Sequence, residues 1–205
     1  MPQSRDSGRT AASAAGDTTR ERVLTAAMEE FAAHGIAGAR VDRIAKLART
    51  SKERVYAYFR SKDALYADVA AREYLVIAEA TQMDPYDLPG YAGRLFDYFV
   101  ARPDHHRLIA WGRLELPGAA ADADDPAQAV IARKIDQLRQ VQQAGQLDPA
   151  WDPADVLALV NQIAMTWASQ PELSEAAAAH AVDPTTAARR AAVVTAVEQL
   201  FPRAR

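Results

Sequence analysis

The chain of 205 residues contains no cysteine. Disulfide staples, thiolate zinc sites, iron–sulfur ligation and thiol redox chemistry are excluded, and a reducing, cytoplasmic setting is expected. Glycine is scarce, at 9 residues. The chain has no phosphate-cradling Gly-rich loop, no Gly-x-Ser-x-Gly elbow, no His-Glu-x-x-His pair and no clustered acid–base set, so an enzyme is the poorer reading. No run approaches about 18 uninterrupted apolar residues, so no membrane span is expected. Residues 1–17 lack the apolar stretch of a signal peptide and read as a disordered tail. Strand-type alternation is missing as well, while alanine, the best helix former, is abundant. These absences leave an all-α protein.

Charge is unevenly spread. Residues 1–62 hold 12 Lys/Arg against 7 Asp/Glu, and residues 63–205 hold 12 against 20. Residues 40–62 alone carry 8 basic and 2 acidic side chains. A basic head on an acidic body directs the head toward a polyanion, with a merely solvated basic face as the competing reading.

The helices are legible from their ends. Thr18-Thr19-Arg20-Glu21 has capping-box spacing, and the helix it opens stops at His34-Gly35. A short helix is expected at about 41–48, another from the N-cap Ser51 to Phe59, and a long one at about 62–81 capped by Ser61. Further helices are expected at about 90–101, 104–116, 126–144, 153–170 and 184–201, with 171–183 partly helical. Asp125-Pro126, Asp152-Pro153 and Asp183-Pro184 each read as an N-cap acid before a proline at the first helical position. The organisation is a disordered tail over 1–17, a small three-helix unit over 18–62 and a larger helical body over 63–205.

Residues 41–62 place two short helices on either side of a three-residue turn, a helix-turn-helix. In that geometry the second helix enters the major groove. Val55 and Phe59 face inward against Ile44 and Ala48, and Lys52, Glu53, Arg54, Tyr56, Ala57 and Tyr58 face outward. Lys52 and Arg54 are the candidates for reading guanine, and the Ser51 hydroxyl at a helix start suits a phosphate. Glu53 either accepts from cytosine or pairs with a basic neighbour. Arg43 is a groove or phosphate candidate, and Tyr58 is half core, half backbone contact.

Four elements at matching spacings carry a resemblance: Phe31-Ala32-Ala33-His34-Gly35, Ile44-Ala45-Lys46-Leu47-Ala48, Val55-Tyr56-Ala57-Tyr58-Phe59 and Ser61-Lys62-Asp63-Ala64-Leu65. Over about residues 19–66 the chain resembles the DNA-binding domain of the tetracycline-repressor (TetR) family; the rest resembles the family's regulatory domain only in being helical and of the right length. The resemblance implies that Tyr56 and Lys62 each meet a backbone phosphate. It departs in the turn, where Arg49 and Thr50 stand in place of the family's glycine and apolar residue. Arg49 is then either left-handed with its guanidinium near a phosphate, or part of a rearranged turn.

The resemblance further implies that the body binds a small-molecule effector and forms a homodimer. Candidate pocket residues are Tyr74, Phe96, Phe99, Trp111, Glu115, Asn161, Met165 and Trp167; each taken singly fits an ordinary core better, but together they exceed what an Ala-rich bundle needs. The last two helices read as the dimer face, with stripes at Val156, Val160, Ile163 and Trp167, at Leu157, Ala164 and Ala168, and at Ala188, Ala191, Ala192, Val194, Ala196 and Val197. His105 and His106 follow Asp104, but adjacent histidines on a helix diverge by about 100° and read as helix-start residues. No metal and no cofactor is expected.

The reading reached is a sequence-specific, ligand-responsive transcriptional regulator, a repressor released from a near-palindromic double-stranded operator by a small molecule. An activator or co-repressed regulator of the same fold stays open, as does a helical small-molecule binder without DNA function.

Overall fold

The computed structural model describes residues 7–116 and 126–202, with side chains from Thr18 in the first stretch and from Ala127 in the second. Every regular element among them is a helix: α1 Ser7–Gly38, α2 Val41–Leu47, α3 Lys52–Tyr58, α4 Lys62–Ala80, α5 Leu88–Ala101, α6 Pro103–Glu115, α7 Pro126–Gln143, α8 Pro153–Ala164, α9 Thr166–Ser169, α10 Pro171–His180 and α11 Thr186–Leu200. None of the described helices is long and apolar enough to cross a membrane.

Several ends differ from the sequence expectation. α1 begins at Ser7, inside the stretch expected to be a tail, because the Ala-rich run 11–15 propagates helix. The Thr18–Glu21 box therefore lies within a helix. Residues 1–6 and Asp125 fall outside the described residues. Asp152 caps α8 as expected, accepting from the Ala154 N–H at 2.7 Å. At α11 the cap is Thr185, two residues beyond the expected Asp183, whose carboxylate instead accepts from the Thr185 N–H. The single helix expected over 153–170 is divided at Met165 into α8 and α9.

The chain divides into two compact units. The first runs through Arg72 and adds the stretch from Arg107; the second takes residues 73–106 and the chain after 119. The sequence placed the border at residue 62. The head extends further because Leu65, Tyr66 and Val69 of α4 and Leu108 of α6 are buried in its core with Phe31, Ile44, Ala48, Val55 and Phe59. Each buried Val, Leu, Ile or Phe among them contributes about 1.5–3 kcal/mol by leaving water. Phe31 and Tyr66 pack edge to face with centroids 5.4 Å apart, and the Tyr66 hydroxyl donates to the Leu108 carbonyl at 2.9 Å.

In the second unit α5, α8 and α11 share a core that includes Tyr91, Phe96, Phe99, Val156, Val160, Val193 and Val197. Val156, Val160 and Val197 have no exposed surface. They are spent inside one subunit and are not on an outer face, as the stripes had it.

Candidate nucleic-acid interface

The turn between α2 and α3 is closed by backbone bonds. Thr50 N–H donates to the Ala45 carbonyl at 2.9 Å and Arg49 N–H to the Lys46 carbonyl at 3.2 Å, the paired pattern that ends a helix on a left-handed residue. Arg49 is that residue, with φ 53°. The family's glycine position is thus kept in shape with an arginine in it, at a cost of about 1 kcal/mol. Ser51 then starts α3 by accepting from the Arg54 N–H at 3.2 Å. Val55 and Phe59 anchor the helix from below, which leaves Lys52, Glu53, Arg54, Tyr56 and Ala57 exposed.

The outward residues are not equally available. Arg54 is exposed, with its guanidinium 5.8 Å from the Tyr58 ring centroid. Tyr56 is also exposed, whereas Tyr58 is half-buried against the head core. Lys52 forms an exposed ion pair with Asp42 at 3.1 Å, and that hydrogen bond raises its ammonium above the ordinary lysine value. The Glu53 carboxyl is held below the usual range by its own backbone N–H and then by Ser51. It serves the start of α3, where the helix dipole favours a negative charge.

Two predicted contacts have internal employment. Arg43 grips Glu30, with Nη2 2.6 Å and Nε 2.8 Å from Oε1, and donates to the Gly38 carbonyl at 3.2 Å. Glu30 is buried and also accepts from the Arg40 N–H at 2.8 Å. Burial pulls its carboxyl up, but the Arg43 and Arg40 hydrogen bonds and the charges of Arg43 and His34 outweigh burial and leave it below the carboxylate range. Lys62 donates to the carbonyls of Ala37 at 3.0 Å and Ala39 at 3.3 Å, a cation set on the last turn of α1. One of its three N–H groups is left over for a phosphate.

The same turn is held from α6. Glu115 accepts from the Ala37 N–H at 2.5 Å, and Gly35, with φ 70° and ψ 178°, breaks α1 where Trp111 and Glu115 press on it. A Cβ at Gly35 would fall on the Glu115 carboxylate. These two residues, expected in an effector pocket, therefore sit in the first unit.

The model for bacterial regulatory proteins of the tetR family matches residues 23–69, and that for the tetracyclin repressor-like C-terminal domain matches residues 87–199. The chain belongs to the tetR family. This tetR-family regulator is 39% identical over 152 residues to the HTH-type transcriptional repressor SCO4008 of Streptomyces coelicolor, covering 74% of this chain and 79% of that protein. It is 30% identical over 137 residues to the HTH-type transcriptional repressor NicS of Pseudomonas putida, covering 63% and 64%. The crystal structure of the transcriptional regulator SCO4942 from Streptomyces coelicolor is 70% identical, covers 91% of this chain and 99% of that one, and superposes with a TM-score of 0.81.

In the regulator's second unit the remaining pocket candidates are scattered. Phe96 and Phe99 are core, Tyr74 and Met165 are half-buried, and Trp167 stacks under the Arg189 guanidinium at 4.4 Å. His105 meets the Tyr98 hydroxyl at 2.8 Å and the Glu73 carboxylate at 3.1 Å, and His106 meets Ser169 at 3.2 Å. Asn161 accepts from the Tyr91 hydroxyl at 3.1 Å, and that hydroxyl accepts from Lys134 at 2.8 Å. A groove of about 790 Å³ lies between α4 and α7, with Lys134 in its wall and none of the eight predicted residues among its lining. The sequence analysis did not single out Lys134, the one lysine after residue 62.

Proposed function

We propose that this tetR-family regulator binds a near-palindromic operator as a homodimer and represses transcription until a small molecule in its second unit releases it. The observation that carries the reading is the outward face of α3. Arg54 and Tyr56 are exposed there without an ion-pair partner, on a helix whose position is set by buried Val55 and Phe59. Arg54 reads a base, Lys52 does so after leaving Asp42, and Tyr56, Ser51 and the spare donor of Lys62 meet phosphates. Arg43 is a positioning residue. The names of SCO4008 and NicS support repression as the sign.

Two-fold symmetry requires half-sites about one helical turn apart or a multiple of it. With Val197 and Val193 buried, the dimer face falls on the exposed small residues of α11, Ala191, Ala192 and Thr195, together with Ala158 and Leu159 of α8. Release requires a ligand that favours one conformation over another, and by reciprocity operator DNA weakens that ligand by the same factor.

The test is a salt titration on operator and on scrambled DNA. The log–log slope has a magnitude of about 4–8. Arg54→Ala costs about 1–3 kcal/mol on the operator and far less on scrambled DNA. Equal losses on both sequences remove the base-reading role from Arg54.

A further inference from the structure

In the second unit Lys134 is a cation that no carboxylate among the described residues compensates. Lys134 is half-buried on α7, and its ammonium is 4.9 Å from the Tyr91 ring centroid. Its hydrogen-bond partner is the Tyr91 hydroxyl, a neutral group that itself donates onward to Asn161. No carboxylate among the described residues pairs with it, and an ammonium has two further N–H groups to satisfy. Burial, and after it the charge of Arg133, pulls Lys134 down to about 8. A cation withdrawn from water with only a phenol for company is held at a disadvantage, and an arriving anion removes it.

The surroundings say what else the anion carries. Lys134 stands in the wall of the groove between α4 and α7, and Arg133 lies beside it. Leu75, Ala78, Met83 and Val130 provide apolar surface, with Leu75 48% exposed and so without a covering partner. The volume is in the range of small-molecule sites. Glu79 lines the same groove from α4, and Arg94 acts on Tyr91 from α5. Glu79 repels negative charge from the α4 side, which favours a single anionic head at the α7 wall over a polyanion.

We propose that this groove binds an amphipathic monoanion: a carboxylate on the Lys134 ammonium, with Arg133 beside it, and an apolar body along Leu75, Ala78, Met83 and Val130. This rests on the reading that the second unit is the effector-binding one and names the chemical class of the effector. Binding draws Lys134 back toward full protonation, so at a pH near 8 the complex takes up a fraction of a proton.

The experiment uses the full chain and two probes of nearly equal shape, 1-naphthylacetate and the neutral 1-naphthylacetamide, titrated by naphthalene fluorescence. The acid binds about tenfold or more tightly than the amide. Lys134→Gln abolishes that preference and Lys134→Arg retains it, with both variants checked for folding by circular dichroism. Raising the pH through about 8 weakens the acid and leaves the amide unchanged. Calorimetry of the acid in two buffers of different ionisation enthalpy reports the proton taken up. Equal affinity for the two probes, a preference that survives Lys134→Gln, or no binding of either probe overturns the proposal. An amide that binds as tightly as the acid and releases operator leaves the ligand-responsive reading standing and removes only the anion. Wild-type operator binding, measured without a probe, tests the DNA reading separately.

Discussion

Buried Glu30 in the first unit and half-buried Lys134 in the second are treated in opposite ways. In the first, Glu30 is met by the Arg43 guanidinium, the Arg40 N–H and, at 3.8 Å, His34. Its charge is stabilised and serves to fix the end of α1 against α2. In the second, Lys134 is met by a hydroxyl and its charge is penalised. A compensated charge is structural mortar; an uncompensated one in a groove is a place for something to bind. Both groups are shifted downward, which favours the charged form of the acid and disfavours that of the base.

The comparison breaks most visibly at Glu30. Glu30→Ala is expected to cost about 2–4 kcal/mol in urea denaturation, because the Arg40 N–H loses its acceptor and Arg43 its partner, with the solvent reach of that guanidinium keeping the loss below that of a fully buried pair. The acid limb changes with it. A carboxyl whose native value lies below its unfolded one gives full stability above the ordinary carboxylate pKa and loses it as pH falls through the lowered value. The variant lacks that part of the acid sensitivity.

Lys134 is expected to move the other way and by less. Its native value of about 8 lies below the ordinary 10.5. Between those values the unfolded chain holds more protons, so wild-type stability rises as pH climbs through that window. Lys134→Met removes the rise and stabilises the protein at neutral pH, by no more than about 1 kcal/mol since the group is only half-buried. A variant that melts lower than wild type at pH 7 ends the view of Lys134 as an uncompensated charge.

The smallest expected effect lies in the turn. Arg49→Gly relieves the left-handed backbone and raises stability by roughly 0.5–1 kcal/mol, with a loss of operator affinity if the Arg49 guanidinium also meets a phosphate. Thermal melts and operator titrations read the two effects apart.

Much of the head was legible because its signals are local. Ser51 and Ser61 cap where their neighbours require it, and Val55, Phe59, Ile44 and Ala48 are four positions whose spacing alone makes a core. The employment of Arg43 and Lys62 was not legible, because a basic residue on a basic face looks the same whether it meets DNA or a carbonyl from another helix. The contacts of Trp111 and Glu115 were not legible for a related reason: their partners lie near Gly35, far back in the chain. In the body, an apolar helix with two faces does not declare which one a subunit keeps for itself. Val197 was read outward and is buried.

The turn around Gly35 bears on how the protein is made. Ala37 finds its acceptor Glu115 at a separation of 78 residues, Ala32 its donor Arg107 at 75, and Tyr66 the Leu108 carbonyl at 42. Contacts this distant in sequence form late, and a chain emerges from the ribosome from its N-terminus. When residues 1–72 have been released, the helix-turn-helix is present in sequence, but the Ala37 N–H and the Tyr66 hydroxyl still lack their partners on α6. The nascent head becomes complete only after α6 has followed it out. A gene fragment cut at the end of the basic segment encodes the helix-turn-helix without its partners on α6, so the head is expected to lose stability when made alone.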